Sequence, residues 1–276
     1  MKIRIIVAAI FLPIVFIIIF YLPAYAFAVA IALVCVVSAY ELLRATGVKG
    51  NDRVGIYAVF SAALIPAGVY FDAGLHVFQA VVLALACLMF VEAIIVYKSK
   101  KQISFAQVVI VLFAGAVMPL MLSSLISMKN MPEGRLIVLL PIIAAFVTDA
   151  GAYFIGVFFG KKRPFILVSP QKTVEGCIGG LVAGVFSMVI YGIILAASTR
   201  HLVTFWALIL YGLIGAFLTE LGDLSFSLIK REYDVKDFGR LLPGHGGMLD
   251  RFDSMVFTAP AIYLLMTVIP AIVIKG

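Results

Sequence analysis

The chain has 276 residues, of which 64% are hydrophobic and only 13% are charged, and its mean hydropathy is +1.18. A soluble core of this length cannot bury so much apolar surface, so the composition indicates an integral membrane protein and disfavours a soluble one. The formal net charge of +7 is no argument for nucleic acid as a partner, because cytoplasmic loops of membrane proteins are themselves basic.

Nine apolar windows are long enough to cross a bilayer, which takes about 20 residues as a helix. They cover residues 5–21, 24–43, 54–71, 75–97, 104–128, 136–159, 175–197, 203–229 and 254–274. The sequence therefore predicts an all-α fold, a polytopic bundle of about nine transmembrane helices that forms a single integral membrane domain over residues 1–276. The first window follows Lys2 and Arg4, and we expect it to be an uncleaved anchor because its length suits a span.

The distribution of basic residues predicts the orientation of these spans. If the N-terminus is cytoplasmic, most of the 21 Lys and Arg residues lie in cytoplasmic segments, and only Lys129, Arg135, Arg200 and Lys275 lie outside. This asymmetry follows the positive-inside rule. We therefore expect a cytoplasmic N-terminus and an external C-terminus. The expected location is a bacterial inner membrane, because the compact chain carries no targeting extension.

The two halves of the chain differ in their content of ionisable groups. Residues 1–130 carry few of them and are expected to act mainly as a scaffold. Glu41 and Arg44 lie three residues apart, where a helix would bring them together as a surface ion pair. Most of the 14 acidic residues lie between Asp149 and Asp253, so residues 136–276 are expected to hold the catalytic spans and cytoplasmic loops.

The sixth and seventh windows flank a basic loop. Asp149 lies within the sixth window, where a carboxylate requires a cation or a polar cavity. Ser169, Lys172 and Thr173 precede the seventh window. The unpaired N–H groups of a helix start would suit a phosphate there, but an ordinary loop with Ser169 or Thr173 as the N-cap fits equally well. Both helices carry small residues at spacings of four and are expected to pack closely: Ala152, Gly156, Gly160, Gly176, Gly180 and Gly184.

The eighth window carries polar side chains on one side only. At 100° per residue, five of them fall within an arc of about 100°: Glu220, Asp223, Ser227, Lys230 and Arg231. Such a stripe on an apolar helix indicates a cavity. The carboxylates could pair with basic residues as a structural network. Further carboxylates at Asp250 and Asp253 favour a hard cation such as Mg²⁺ instead.

A glycine-rich loop separates the eighth and ninth windows. It contains Lys236, Asp237 and Gly239, then Gly244, His245, Gly246 and Gly247, and it leads to Asp250, Arg251 and Asp253. The glycines leave the backbone free to fold closely around a phosphate chain. Ionisable groups are costly beside a membrane unless something binds them. The stretch from Ser227 to Asp253 is therefore predicted to be the active site.

The same stretch resembles the signature of phosphatidate cytidylyltransferases, also called CDP-diacylglycerol synthases. The resemblance is carried by three segments: Ser227-x-x-Lys230-Arg231, Lys236-Asp237-x-Gly239 and Pro243-Gly244-His245-Gly246-Gly247-x-x-Asp250-Arg251-x-Asp253. Upstream, residues 149–154 and 169–176 are similar to further segments of that family, although Ala150, Gln171 and Val174 depart from its usual residues. The resemblance covers about residues 149–254.

The resemblance implies that CTP and phosphatidic acid give CDP-diacylglycerol and pyrophosphate, with Mg²⁺ as the cofactor and a homodimer as a possible assembly. The implied metal ligands are Asp223 and Asp250, assisted by Asp253 or Glu220. The catalytic candidates are Asp223, Lys230, Arg231, Lys236, Asp237, His245, Asp250 and Arg251. The substrate-binding candidates are Asp149, Ser169, Lys172, Thr173, Ser227, Gly244, Gly246 and Gly247. A membrane transporter with a charged cytoplasmic-side substrate site is the alternative.

Overall fold

The computed structural model describes residues 13–48, 52–100, 102–198, 201–241, 244 and 246–274. Residues 13–20 are helical. The helices that follow are α1 (Ala24–Ala45), α2 (Asp52–Tyr70), α3 (Gly74–Ile95), α4 (Phe105–Leu112), α5 (Met118–Asn130), α6 (Gly134–Ile137), α7 (Leu139–Phe159), α8 (Val174–Ser198), α9 (Phe205–Glu232) and α10 (Leu249–Val268). A π-helical turn, Phe113–Val117, joins α4 to α5, and the short strands β1 (His201–Val203) and β2 (Ile272–Ile274) pair antiparallel. The predicted helical fold class is confirmed.

Seven segments of the described chain are long and apolar enough to cross a membrane. They are Ala24–Ala45, Arg53–Tyr70, Gly74–Ile95, Phe105–Asn130, Gly134–Phe159, Val174–Ala197 and Phe205–Glu232. These segments correspond to the second to eighth predicted windows. Of the first window, 5–21, residues 5–12 lie outside the described residues, and residues 13–20 are helical. The protein is therefore an integral membrane protein, while the count of nine spans stays a prediction.

The ninth predicted window, 254–274, differs from the helix that the structure contains. Helix α10 begins earlier, at Leu249, and ends at Val268. Pro270 has no backbone N–H and disfavours helical geometry at Ile269 before it. The chain then continues into β2, where Leu202 pairs with Val273.

The backbone packs as two compact units. The first unit comprises Met1–Arg135 and Tyr233–Phe252, and the second comprises Leu136–Glu232 and Asp253–Gly276. The glycine-rich loop therefore packs with the N-terminal helices, although the sequence assigned it to the catalytic half. Membership of both units in a single membrane domain stays a prediction.

In the first unit, the π-helical turn interrupts what the sequence predicts as one helix over residues 104–128. Pro119 has no N–H to donate to the carbonyl one turn earlier, which weakens a regular helix at this point. Gly115 lies so close to α2 that an added Cβ would be 3.0 Å from the Cα of Ala58. The irregular turn therefore lies at a close approach of its backbone to α2.

In the second unit, small residues bring α7, α8 and α9 into close contact. A Cβ added to Gly176 would lie 2.8 Å from the backbone oxygen of Ala152, and one added to Gly212 would lie 2.6 Å from the Cα of Val185. This arrangement confirms the predicted close packing of α7 against α8. It also brings the polar stripe of α9 towards the loop that precedes α8.

We expect Gly212→Ala to lower the free energy of unfolding by about 1–3 kcal/mol, the usual cost of overpacking, because the new methyl group would meet backbone atoms. Gly55→Ala is the matched control, since no atom lies within 4 Å of its added Cβ and alanine is the better helix former. Thermal unfolding of both variants in detergent checks this prediction. Equal melting temperatures would contradict it.

Candidate active site

The second unit contains a largely buried ion cluster, which we call the Lys172 cluster and define as Lys172, Glu220 and Asp223. The Nζ of Lys172 lies 2.5 Å from Oε2 of Glu220 and 2.8 Å from Oδ2 of Asp223. It also donates to the backbone oxygen of Glu220 at 3.3 Å. Only 15% of the Lys172 side chain and 8% of the Glu220 side chain are exposed. One ammonium group thus lies between two carboxylates.

Local structure explains how these three residues meet. Glu220 and Asp223 lie one turn apart on α9, so their side chains share one face. Thr173 is the N-cap of α8, because its Oγ1 accepts a hydrogen bond from the N–H of Gly176 at 3.0 Å. This cap fixes Lys172 directly before the helix. The N-cap interpretation of Thr173 is therefore confirmed, whereas a role for Thr173 in substrate binding stays a prediction.

The electrostatic surroundings of Lys172 keep its side chain charged. Burial by itself would lower the pKa of Lys172, but the carboxylates of Asp223 and Glu220 outweigh burial and raise the pKa above the ordinary lysine value. Lys172 is therefore protonated at neutral pH. The structural network that the sequence left open as an alternative to metal binding is present, with Lys172 as its cation.

Glu220 has one carboxylate oxygen that Lys172 does not contact. Its Oε1 is buried and accepts no hydrogen bond from the part of the chain that the structure describes. Gly180 makes room for this oxygen, since an added Cβ would lie 3.0 Å from it.

Asp149 is exposed on α7 and lies within electrostatic range of the Lys172 cluster and of Asp253. The sequence predicted a cation or a polar cavity for Asp149, and Lys172 is a cation within this range.

A second ion pair lies at the ends of α9 and α10. The Nζ of Lys230 is 4.0 Å from Oδ2 of Asp253, and both side chains are about nine-tenths buried. Ser227 is buried on the same helix. Arg231 is exposed, and its Nε donates to the backbone oxygen of Val168 at 3.1 Å. This hydrogen bond therefore connects α9 with the loop that precedes α8.

In the first unit, Asp250 organises the glycine-rich loop. Its Oδ2 accepts hydrogen bonds from the backbone N–H groups of Phe238 and Gly247, each at 2.9 Å. Gly246 has φ +85°, a left-handed conformation that glycine adopts without strain. An added Cβ on Gly246 would lie 2.9 Å from Oδ2 of Asp250 and 3.3 Å from Oδ1 of Asp237. These predicted residues are thus brought together.

The basic side chains of this loop remain accessible. Lys236, Arg240 and Arg251 are exposed. Lys236 and Arg240 line a cavity of about 550 Å³ together with Arg44, Asp237 and Gly239. Gly244 has φ +77°, whereas Pro243 and His245 lie outside the described residues. The sequence did not single out Arg44 and Arg240 as site residues, because a basic residue beside a membrane helix is common for topological reasons.

The surroundings of Glu41 differ from those that the sequence predicts. It is only 5% exposed, and its Oε1 and Oε2 accept hydrogen bonds from the backbone N–H groups of Met248 at 3.1 Å and Leu249 at 2.8 Å. The prediction that Glu41 and Arg44 form a surface ion pair is therefore wrong. A carboxylate within an apolar span was the available signal, since such a group is expected to have a specific partner.

The carboxylates of the second unit suit a hard cation in their chemistry. Among the residues that the structure describes, no three or more His, Cys, Asp or Glu side chains form a ready group for a metal. Mg²⁺, however, is usually held by one or two carboxylates while water and substrate phosphates supply the other ligands. Glu220 Oε1, buried and without a hydrogen-bond donor among described residues, fits such a ligand. Its neighbour Asp223 adds a second hard oxygen donor.

Comparison with known proteins places the chain in a family. Residues 2–269 match the profile described as the cytidylyltransferase family. The phosphatidate cytidylyltransferase of Staphylococcus saprophyticus is 32% identical over 226 residues, which cover 82% of this chain and 84% of the relative. That of Staphylococcus haemolyticus is 32% identical over 235 residues, or 85% and 87% of the two chains.

A third relative extends the comparison. The phosphatidate cytidylyltransferase of Bacillus subtilis is 35% identical over 168 residues, which cover 60% of this chain and 61% of the relative. The profile match includes the N-terminal spans as well as the signature between residues 149 and 254. The matched region therefore includes nearly all of both units, and the chain belongs to the cytidylyltransferase family.

Proposed function

We propose that this protein is a phosphatidate cytidylyltransferase, which transfers the cytidylyl group of CTP to phosphatidic acid and releases pyrophosphate. The structural observation that carries the proposal is the Lys172 cluster, which holds buried charges in the second unit of an apolar protein. Membership of the cytidylyltransferase family, with relatives named for this activity, supports the reaction class. A plain membrane scaffold would gain nothing from these charges.

The reaction requires charge neutralisation more than proton removal. The second pKa of a phosphomonoester is about 6, so the phosphate of phosphatidic acid is largely dianionic at neutral pH. One of its oxygens forms a bond to the α-phosphorus of CTP, while the bond from that phosphorus to the bridging oxygen of pyrophosphate breaks. Positioning and electrostatic stabilisation are therefore the main tasks of the protein.

Five basic residues supply the positive charge that neutralises the phosphates. Lys172, Lys230 and Arg231 of the second unit, and Lys236 and Arg251 of the first, neutralise phosphate oxygens. Asp223, with Glu220 or Asp253, holds Mg²⁺, and Asp250 stays a candidate ligand through its second carboxylate oxygen. When bound, Mg²⁺ supplies positive charge for the triphosphate and for the pyrophosphate that leaves. Ser169 and Thr173 are candidates for contact with either substrate, as is the turn around His245.

The orientation in the membrane follows from the charges. We propose nine spans with a cytoplasmic N-terminus and an external C-terminus, in a bacterial inner membrane. This topology assigns the basic segment from Lys230 to Arg251 to the cytoplasm, in agreement with the positive-inside rule, and CTP is a cytoplasmic nucleotide. Both units would then form one membrane domain, with the catalytic charges on its cytoplasmic side. A homodimer is a further proposal that cross-linking in native membranes can test.

Pyrophosphate release tests the activity directly. The purified full-length protein in detergent micelles is incubated with CTP and Mg²⁺, with or without phosphatidic acid. Pyrophosphate and CDP-diacylglycerol should form in equal amounts only when phosphatidic acid is present. Diacylglycerol, which lacks the attacking phosphate, is the matched control lipid. Transport of labelled substrate across vesicles without pyrophosphate release would instead support the transporter alternative.

A further inference from the structure

Glu41 contacts the glycine-rich loop from the end of α1. Its two carboxylate oxygens accept hydrogen bonds from consecutive backbone N–H groups, those of Met248 and Leu249. Leu249 is the first residue of α10, so these donors belong to a helix N-terminus, where backbone N–H groups lack helical partners. A negative charge at this position also complements the helix dipole.

The packing of two glycines shows that the loop is built around this carboxylate. A Cβ added to Gly239 would lie 2.5 Å from Cδ of Glu41, and one added to Gly247 would lie 2.6 Å from the same atom. In each case the three nearest atoms all belong to Glu41. Neither glycine has a left-handed φ, so space rather than backbone conformation requires glycine at both positions.

Glu41 and Asp250 together account for four backbone donors of the loop. Asp250 accepts from Phe238 and Gly247, whereas Glu41 accepts from the two residues that follow Gly247. Protein carboxylates therefore already pair with the N–H groups that lead into α10, those of Gly247, Met248 and Leu249. These two carboxylates thus hold the backbone of the loop, which carries the exposed side chains of Lys236 and Arg251.

We infer that Glu41 is a positioning residue, which holds Gly239 and the Gly247–Leu249 segment together so that the loop presents its basic side chains in a fixed arrangement. The structural part of this inference stands on the contacts of Glu41, and its consequence for cytidylyl transfer rests on the proposed function. Glu41 itself is not expected to touch either substrate. A helix of the N-terminal scaffold thus takes part in arranging the signature loop.

Hydrogen exchange of the full-length protein tests the structural part without any assay of activity. In Glu41→Ala, the backbone N–H groups of Met248 and Leu249 should exchange at least about tenfold faster, because hydrogen bonds to a charged group are lost. Peptides from α9 should keep their protection, which shows that the protein remains folded. Glu41→Gln keeps the side-chain volume and one acceptor oxygen, so we expect a smaller acceleration. Unchanged exchange in both variants would overturn the inference.

A double-mutant cycle tests whether the carboxylate of Glu41 is the group that leaves no room for a side chain at position 247. Gly247→Ala alone should accelerate exchange of the same N–H groups, because the methyl group displaces the carboxylate. In the Glu41→Ala background, the same substitution should add little. If Gly247→Ala had its full effect in both backgrounds, the proposed contact would not be the cause.

The functional part is measured as kcat and KM for CTP. Glu41→Ala should lower kcat/KM by about 10²-fold, the cost expected when reacting groups are misplaced by about 1 Å, with a smaller loss in Glu41→Gln. Glu133→Gln is the matched control, because Glu133 is exposed in a turn of the same unit. Faster exchange with unchanged kinetics would overturn the positioning role while leaving the proposed function intact. Absence of activity in the unmodified protein would instead contradict the proposed function.

Discussion

Asp223→Asn should lower kcat by about 10²–10³-fold, a range typical for loss of one electrostatic contact to a reacting group. Asparagine has nearly the same shape but no negative charge for Mg²⁺ or for Lys172. The fold should survive, because Lys172 keeps its 2.5 Å contact with Glu220. Initial rates of pyrophosphate release at several Mg²⁺ concentrations measure the effect, and the half-saturating Mg²⁺ concentration should rise.

The matched control for this variant is Asp72→Asn. Asp72 is exposed in a turn of the first unit and has φ +50°, a conformation that asparagine tolerates well. The activity of Asp72→Asn should equal that of the unmodified protein. If Asp223→Asn were equally active, Asp223 would have no role in holding the metal, and the proposed assignment of ligands would fail.

Lys172→Met should have a comparable effect on activity and a larger effect on stability. Removal of the only ammonium group within the Lys172 cluster leaves Glu220 buried without its cation, and breaking a buried ion pair in this way costs about 3–5 kcal/mol. The rate of transfer should fall by about 10²–10³-fold. Melting temperature in detergent and pyrophosphate release, measured on the same preparation, check both expectations.

A second substitution separates stability from activity. In Lys172→Met/Glu220→Gln the buried charge is removed as well, so the melting temperature should recover while the rate stays low. Lys161→Met is the matched control, since Lys161 is an exposed lysine of the same loop. Recovery of the rate together with the melting temperature would show that Lys172 serves only to compensate Glu220.

The pH dependence of the stability loss follows from the raised pKa of Lys172. The contribution of a raised lysine pKa to folding stability is complete below the unfolded value, about 10.4. It is lost only as the pH rises through the higher folded value. The stability difference between Lys172→Met and the unmodified protein should therefore still be present in full at about pH 9. A difference that vanished as the pH rose to about 9 would contradict the charged state of Lys172.

Local properties of the sequence were enough to predict much of the fold. Hydropathy over about 20 residues predicts a membrane helix, and seven predicted windows match helical segments of the structure. The 3.6-residue period placed Glu220 and Asp223 on one face of α9, where the structure has them. Small residues at intervals of four positions predicted the close approach of α7 and α8. These features depend only on neighbours along the chain, so a single sequence contains them.

Only the tertiary structure showed which charged groups meet. Lys172 contacts Glu220 across 48 residues, and the carboxylate of Glu41 accepts from a backbone N–H that is 207 residues away. Helical periodicity gives the face of a helix but not the partner of that face. A buried carboxylate can pair with any cation or N–H group that the packing brings near. The sequence alone therefore predicted a charged site between Ser227 and Asp253. Close packing of helices decided that Lys172 neutralises Glu220 and Asp223 and that Glu41 supports the glycine-rich loop.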